Sequence, residues 1–364
     1  MCNKSFNPFH CILPPYIADK LENAASKNKI ADKDNEMAAD RFRSKRNAMG
    51  AMTTKKKMQI SMLENNADAT PSLVQRVFDA EQLPILPGTP LWKTGDKKLP
   101  TDKDAKNAIT GVQKTWNFYQ TLFNRNSLNN MGMVISQSIH YRENPRKVFD
   151  NAMWDGEQMI YGDGDGVFTG SFTSDLDIIA HELTHGVIDF TAKLAYENQS
   201  GALNESFADV FGILVKQWNG KTQAKKADWL IGKNVLIGSK YALRSMKAPG
   251  TAYKNHPELG TDPQPAVMSQ FKVMDKSKDN GGVHYNSGIP NFAFYVTANE
   301  LGGFAWEKAG RIWYETLAQN GLLKKNATFK DARNATIKKA SEIYGVNSLE
   351  EKAVKLGWDT AEVK

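Results

Sequence analysis

The sequence predicts an α+β protein in which short strands belong mainly to the first half of the chain and helices to the second. Apolar and polar residues alternate from Met131 to Tyr141, which is typical of a strand, whereas Asp102 to Phe123 carries apolar side chains at helical spacing. Beyond residue 190 the spacing is mostly helical, over about 205–218, 288–301, 304–320, 329–344 and 348–356. A chain of 364 residues can form two lobes and an appendage.

Composition and charge exclude several classes of protein. Hydrophobic residues make up 41% of the chain and charged residues 24%, which are ordinary values for a soluble globular protein. The net charge of +7 comes from scattered basic residues without a nucleic-acid recognition motif, and no apolar run is long enough to cross a membrane. We therefore expect a monomer with no nucleic-acid partner and no membrane anchor. The first ten residues lack the apolar core of a signal peptide, which predicts a cytoplasmic protein or export by a non-classical route.

The motif His-Glu-x-x-His occupies residues 181 to 185, inside an apolar run of helical character. Residues four apart lie on one face of a helix, about 6 Å apart along its axis, so His181 and His185 can bind one metal ion. Glu182 falls beside that ion, where its carboxylate can accept a proton from bound water. The alternative is a surface helix that happens to hold two histidines, and the motif alone leaves it open.

A third ligand is offered by Glu205, which lies 205 − 185 = 20 positions after His185 and opens a second apolar helical run. Three protein ligands with a fourth position left for water is the arrangement of a catalytic zinc ion. A structural zinc ion would have four protein ligands, usually including Cys, but Cys2 and Cys11 lie far upstream. The spacing therefore favours a catalytic site with one zinc ion.

These ligands, together with the stretch 282–288 (Gly-Val-His-Tyr-Asn-Ser-Gly), make the chain resemble the thermolysin family (M4) of zinc endopeptidases from about residue 151 onward. Its short leader most resembles protealysin-type bacterial precursors. The resemblance implies a two-lobed zincin fold with zinc in the cleft between the lobes. It implies a short helical prosegment over 1–50, a β-rich N-terminal lobe with the zinc helix over 51–190, and an α-helical C-terminal lobe over 191–364.

The resemblance also implies the activity, a neutral endopeptidase that cleaves peptide bonds N-terminal to hydrophobic residues. Zinc-bound water attacks the scissile carbonyl, and Glu182 is the general base. His284 and Tyr196 are expected to stabilise the oxyanion, while Asp279 holds the His284 ring. Asp209 is expected to accept the outer N–H of a zinc-binding histidine.

Substrate binding is likewise assigned by resemblance. Asn151 and Ala152 lie in the edge strand that pairs with substrate backbone, through the Asn151 side-chain amide and the Ala152 carbonyl. Arg244 is expected to contact the substrate carbonyl just past the cut. An apolar S1′ pocket is expected to be lined by Phe172, Ile178, Ile231, Val235 and Leu243.

One departure concerns calcium. At the positions of the thermolysin family's double calcium site the chain keeps Asp177 and Asp228 but has Lys216, Leu230 and Lys233. Calcium needs a shell of oxygen ligands, which lysines would disrupt. We expect the double site to be absent, with the ammonium groups replacing its charge; calcium at other positions stays open.

The first fifty residues are expected to be an inhibitory prosegment that is removed by self-cleavage. Pro14-Pro15 starts a helix at Tyr16, and the small, charged stretch 43–57 resembles an exposed linker. Candidate maturation bonds precede Ala48, Met49, Ala51 and Met52, and we favour Gly50–Ala51, where the segment is small and flexible. The alternatives are a helical appendage without a regulatory role and a prosegment that stays bound as an intramolecular chaperone.

Cys2 and Cys11 add a sharper hypothesis, because a thiolate binds zinc well. One of them could occupy the water position on zinc and keep the precursor inactive. The alternative is a pair of ordinary free thiols, since two cysteines do not make a disulfide framework.

Two rival functions remain, and a separate protein inhibitor is a possible further partner. A zinc aminopeptidase uses the same ligand types, but its Glu comes one residue earlier and its Gly-x-Met-Glu-Asn stretch is missing here. A non-catalytic binding module would not need an intact Glu182 and His284. Peptide substrates and the chain's own prosegment are therefore the expected partners.

Overall fold

A computed structural model describes residues 10–27, 71–143, 148–238 and 240–364. The predicted maturation bond at Gly50–Ala51 and Cys2 lie outside these ranges. Within them, no helix is both long and apolar enough to span a lipid bilayer.

A six-stranded mixed sheet forms the N-terminal part of the described chain. Its spatial order is β1-β5-β6-β4-β2-β3, with parallel pairs at β2–β4 and β4–β6 and antiparallel pairs elsewhere. The strands are β1 (His10–Cys11), β2 (Gln75–Asp79), β3 (Thr89–Lys93), β4 (Ile135–Ile139), β5 (Ala152–Trp154) and β6 (Gln158–Tyr161). A short antiparallel pair, β7 (Leu230–Ile231) and β8 (Arg244–Ser245), lies later in the chain.

Strand β5 is not an edge strand in this structure, because the N-terminal strand β1 pairs with it. The chain then turns into helix α1 (Pro15–Lys27), whose start agrees with the Pro14-Pro15 signal. Apolar side chains of this region are buried in the same hydrophobic core as the rest of the protein, namely Ile12, Leu13, Tyr16, Ile17 and Leu21. The described N-terminal residues are thus packed into the fold, while the prosegment and the domain boundaries remain predictions.

Three long helices form the centre of the molecule: α2 (Lys103–Phe123), α3 (Leu176–Asp189) and α4 (Asn198–Gly220). Glycines allow them to approach closely. A Cβ atom on Gly111 of α2 would lie 2.4 Å from the Ile179 side chain, and one on Gly212 of α4 would lie 2.6 Å from the Asp177 carbonyl oxygen. Close packing of α4 on α3 brings the Glu205 region beside the His-Glu-x-x-His motif.

Helices make up most of the C-terminal part of the chain. They are α5 (Asp279–Asn286), α6 (Gly288–Leu301), α7 (Ala309–Ala318), α8 (Phe329–Tyr344) and α9 (Leu349–Thr360), with short 3₁₀ turns at Ala224–Lys226 and Met268–Gln270. Helix α5 is interrupted at its start, where Asn280, Gly281 and Gly282 have φ of 49°, 86° and 85°. This turn carries the chain from Asp279 back to His284. The α+β prediction, with strands before helices, is confirmed.

Candidate active site

The two motif histidines lie one turn apart on α3 and are fully buried. Each ring forms a hydrogen bond through its Nδ1 atom. The partner of His181 is Asp209 Oδ1 at 2.8 Å, and that of His185 is Asn204 Oδ1 at 2.8 Å. Carboxylate and amide oxygens only accept, so each Nδ1 carries the hydrogen. Each Nε2 is therefore left with a lone pair directed toward the cleft.

Those lone pairs meet beside the Glu205 carboxylate, as a metal site requires. The Nε2 atoms of His181 and His185 are 3.0 Å apart. Glu205 Oε2 lies 3.5 Å from His181 Nε2, and Glu205 Oε1 lies 3.5 Å from His185 Nε2. Glu205 Oε2 is buried and accepts no hydrogen bond from any residue that the structure describes. Two bonds of 2.0–2.1 Å to a tetrahedral zinc ion need an N···N separation of about 3.3 Å. The donor types and their spacing fit zinc with little adjustment.

Glu182 lies next to the two histidines, and its carboxylate, like that of Glu205, is close enough to share a metal site with them. One of its carboxylate oxygens is within 4.8 Å of the ligand atoms of both histidines. Its Oε2 accepts the main-chain N–H of Trp154 at 2.8 Å, and the side chain is fully buried. Strand β5 therefore orients a carboxylate beside the metal position, where a general base is expected.

Three further predicted residues are brought together on the opposite side of the cleft. Asp279 Oδ1 lies 2.5 Å from His284 Nδ1, and its Oδ2 accepts the His284 main-chain N–H at 2.8 Å. Burial by itself lowers the pKa of His284, but the Glu205 and Asp279 carboxylates raise it, to about 9. Tyr196 donates to Glu205 Oε1 and lies 3.2 Å from His284 Nε2. Burial raises the pKa of Tyr196, so its phenol keeps its proton.

Asp209 and Arg244 form a buried pair that supports both the histidines and the cleft. Arg244 donates to both Asp209 oxygens at 2.8 Å, while Asp209 also bonds His181. Burial raises the pKa of Asp209, but Arg244 and His181 outweigh it, and the net pKa lies far below the usual range. The Nη1 atom of Arg244 donates a hydrogen bond to the Ile12 carbonyl oxygen at 2.8 Å. Arg244 thus connects the Ile12 carbonyl to Asp209, which in turn holds His181.

The residues predicted to line the apolar pocket are all fully buried and belong to one hydrophobic cluster, together with Ile12 near the N-terminus: Phe172, Ile178, Ile231, Val235 and Leu243. Asn151 and Ala152 contact the N-terminal segment. Asn151 Oδ1 accepts the Leu13 N–H at 3.0 Å, and the Ala152 carbonyl accepts the Ile12 N–H at 3.2 Å.

Cys11 differs from the prediction of a thiolate zinc ligand. Its sulfur is in a disulfide bond, and disulfide sulfur carries no negative charge with which to bind zinc. What Cys11 presents to the site is its main-chain carbonyl oxygen, 2.9 Å from His284 Nε2. Cys2, the other predicted thiolate, lies outside the described residues.

Sequence reasoning missed several supporting groups. Asn204, adjacent to Glu205, holds His185, and Asn291 Nδ2 donates to Asp209 Oδ2 at 2.9 Å. Gln264 donates to the His284 main-chain carbonyl at 2.7 Å. Asn204 could have been found, because a zinc-binding histidine needs an acceptor for its outer N–H. Asn291 and Gln264 have no comparable signal in the sequence.

A second charged cluster lies one turn before His181, at the predicted calcium position. Lys216 Nζ donates to Asp177 Oδ2 and to the Leu230 carbonyl, both at 2.9 Å, and lies 3.7 Å from Asp228 Oδ1. Lys233 Nζ is 3.3 Å from Asp228 Oδ2. Burial by itself lowers the pKa of Lys216, but Asp177 raises it further, so the ammonium stays charged.

Comparison with known proteins connects this geometry to a family. Residues 28–189 match the family model of the thermolysin metallopeptidase catalytic domain, and residues 192–363 match that of its α-helical domain. Protease PrtS of Photorhabdus sp. (strain Az29) is 41% identical over 98% of this chain and 93% of its own length. An extracellular metalloprotease of Pectobacterium carotovorum subsp. carotovorum is 43% identical over 79% of this chain and 80% of its own.

A solved structure agrees with these sequence matches. The precursor of protealysin, a metalloproteinase from Serratia proteamaculans, superposes with a TM-score of 0.76 at 41% identity, covering 86% of this chain and 95% of its own. Both family models and the site geometry therefore lead to one conclusion: the chain belongs to the thermolysin family of metallopeptidases (M4) and is a zinc metalloendopeptidase, similar to the protealysin precursor.

Proposed function

We propose that the protein is a self-processing precursor of a neutral endopeptidase that cleaves on the N-terminal side of hydrophobic residues. The observation that carries this proposal is the convergence of Glu182, His284 and Tyr196 on the cleft beside the ligand atoms of His181 and His185. His181, His185 and Glu205 would hold the zinc ion. When bound, zinc lowers the pKa of a water molecule and polarises the scissile carbonyl.

The protein's own groups then move protons and stabilise charge. Glu182 accepts a proton from the attacking water and delivers it to the leaving amine. His284 Nε2–H and the Tyr196 hydroxyl donate to the carbonyl oxygen as negative charge develops there. Asp279 holds the His284 ring through two contacts, which keeps Nε2 directed at that oxygen.

Substrate preference follows from the groups around the bond. Asn151 and Ala152 recognise main-chain atoms, which any sequence offers. The buried apolar residues Phe172, Ile231 and Leu243 favour Leu, Ile, Val or Phe directly after the cut. Discrimination by one apolar pocket is modest, about 10- to 200-fold per methylene group.

The prosegment is proposed to be an intramolecular inhibitor. Its strand β1 covers β5, and its main chain contacts Ala152, Asn151, Arg244 and His284, the same groups that a substrate would need. A substrate cannot enter while these contacts persist. Removal by a cut in the linker predicted at 43–57, for which we retain Gly50–Ala51, would free the cleft.

The calcium hypothesis is retained as a proposal. The Lys216 ammonium lies among the oxygens of Asp177, Asp228 and Leu230, where a cation would otherwise bind. We propose that this lysine supplies the positive charge in place of calcium. We also retain export without a classical signal peptide; one relative is named an extracellular metalloprotease.

The decisive experiment compares wild type with Glu182→Gln on a peptide blocked at both ends, with Leu after the scissile bond. We expect cleavage before Leu by processed wild type and about 10²- to 10⁴-fold lower kcat in the variant, with zinc content unchanged. Glu342→Gln, an exposed change of the same kind, is the control and should retain full activity. The blocked N-terminus excludes an aminopeptidase, while zinc-loaded, processed wild type without activity would support a binding module instead.

A further inference from the structure

The prosegment lies in the cleft with a defined direction and register. Strand β1 runs antiparallel to β5, with Cys11 opposite Met153. After Cys11, the Ile12 N–H donates to the Ala152 carbonyl at 3.2 Å and the Leu13 N–H donates to Asn151 Oδ1 at 3.0 Å. The main-chain N–H groups of Ile12 and Leu13 are thus bound by two neighbouring residues of the cleft, Ala152 and Asn151.

The carbonyl groups identify which peptide bond lies over the catalytic side chains. The Cys11 carbonyl oxygen is 2.9 Å from His284 Nε2, the group proposed to stabilise the oxyanion. The next carbonyl, that of Ile12, accepts from Arg244 Nη1 at 2.8 Å. The Cys11–Ile12 bond therefore has its carbonyl at the oxyanion position and a fully buried apolar residue directly after it.

We propose that the Cys11–Ile12 bond is itself a substrate, hydrolysed inside the precursor by the site that it covers. This inference rests on the proposed endopeptidase function and adds a second self-cleavage site to the maturation site in the later linker. The hydroxyl of water joins the Cys11 carbonyl carbon to give a carboxylate. The C–N bond breaks, and the proton removed from water by Glu182 passes to the new Ile12 amine.

Cleavage at this bond does not by itself release the inhibitor. Helix α1 keeps the downstream fragment in place through its buried residues Tyr16, Ile17 and Leu21. The Tyr16 ring lies 4.4 Å from that of Tyr285, and Lys20 donates to the Leu259 carbonyl. Pro14 and Pro15 stiffen the connection between the bond and the helix. The nicked precursor should therefore remain inactive until the later linker is cut.

The first test is N-terminal sequencing and intact mass of fresh wild-type precursor over time. We expect a chain that begins at Ile12, formed with first-order kinetics whose rate constant is unchanged by tenfold dilution, because the bond lies in its own active site. Blocked-peptide hydrolysis should not rise while only this nick accumulates. An active preparation in which Cys11–Ile12 stays intact would overturn the inference while leaving the proposed function untouched.

The second test separates cleavage within a molecule from cleavage between molecules. Processed wild type, added to Glu182→Gln precursor, should cut the later linker of the variant. In variant molecules whose linker is still intact, the Cys11–Ile12 bond should remain uncut, because the variant's own cleft shields the bond. An Ile12 terminus appearing in this variant at the wild-type rate would contradict the proposal.

A matched pair of lysine substitutions tests the register. Ile12→Lys places a charge where an apolar side chain is fully buried, whereas Asn23→Lys places the same charge on the exposed side of α1. We expect cleavage after Cys11 to slow by at least about tenfold in the first variant and to stay within about twofold in the second. Equal rates in both variants would mean that Ile12 does not determine the cut.

Discussion

Two charged clusters lie one turn apart on helix α3, and they balance their charge in opposite ways. At His181 and His185, two imidazole lone pairs and the Glu205 carboxylate converge; the His284 ring lies 3.6 Å from Glu205 Oε2, and no lysine of the described residues pairs with Glu205. At Asp177, one turn earlier, the Lys216 ammonium lies among the oxygens. Helix α4 supplies Glu205 to the first cluster and Lys216 to the second, so the same pair of helices forms both.

The difference shows what makes a group of buried polar side chains into a metal site. Converging lone pairs repel each other, and burial raises the cost of leaving them without a positive partner. A lysine that reaches the cluster removes that need, as Lys216 does for Asp177. Where no lysine of the described residues reaches, as at Glu205, we propose that a bound zinc ion supplies the positive charge.

The largest expected effect is that of metal removal. A chelator that binds zinc tightly should abolish peptide hydrolysis by the processed enzyme, and added zinc should restore it, because we propose that His181, His185 and Glu205 hold the catalytic ion. A calcium-selective chelator should leave activity unchanged and shift Tm by less than about 2 °C, equivalent to less than about 1 kcal/mol. A larger loss of Tm with the second chelator would show that a calcium ion remains structurally important.

Loss of the charged hydrogen bond between Asp209 and His181 should have the next largest effect. Asp209→Asn removes the charge that holds His181 and leaves the fully buried Arg244 without its ionic partner. We expect zinc affinity to fall about 10- to 100-fold, measured by competition with a chromogenic chelator. Asp359→Asn, an exposed change of the same kind, should leave zinc affinity unaltered.

Much of the site was predictable because its chemistry depends on short spacings. His181 and His185 are one helical turn apart, and the helix brings their rings together without help from distant residues. The Lys216 substitution was also visible, since a lysine among calcium-type ligands changes the sign of the local charge. Pairing of Glu205 with these residues was inferred from its spacing after His185, and Gly212 permits it physically by letting α4 approach α3.

What sequence reasoning missed depends on contacts between distant parts of the chain. Asn291 and Gln264 reach Asp209 and His284 only because the C-terminal helices pack around the cleft. The position of Cys11 was also missed, since no local pattern predicts that its carbonyl oxygen, rather than its sulfur, faces His284.

Helix ends gave a mixed result. Helices α6 and α8 have the predicted bounds, but α4 begins at Asn198, seven positions before the predicted start at 205, because its first turns are polar or small. Helix α9 begins at Leu349, where Ser348 accepts the Glu351 N–H and Glu351 Oε2 accepts the Asn347 N–H. Local signals locate a helix well, whereas packing decides where it ends.

Removing the Lys216 ammonium should reveal the calcium site that it replaces. Lys216→Met leaves Asp177, which is fully buried, without its cation, and we expect a loss of about 2–3 kcal/mol in the free energy of unfolding. In Lys216→Glu, millimolar calcium should restore much of the loss, while wild type should not respond. Lys233→Met is the matched control, because its pair with Asp228 is exposed and should contribute less than about 1 kcal/mol. Urea unfolding with and without calcium measures all four proteins.

A third charged cluster, around His140, extends the comparison, because a rise in pH removes the proton that makes His140 a cation. His140 lies 2.6 Å from Asp163 and 3.4 Å from Asp102, and its side chain is 19% exposed. The hydrogen bond to Asp163 raises the pKa of His140 to about 9, above its unfolded value near 6.5, against the opposing effect of burial.

Since the folded pKa is the higher one, the His140 contribution is full below pH 6.5 and is lost as the pH rises to 9. We expect the free energy of unfolding to fall by at most about 3 kcal/mol over this range in wild type. His140→Gln should be less stable at pH 6 and should change less between pH 6.5 and 9, as measured by urea unfolding at each pH. If the two profiles run parallel, the imidazolium does not stabilise its carboxylates as Lys216 stabilises Asp177.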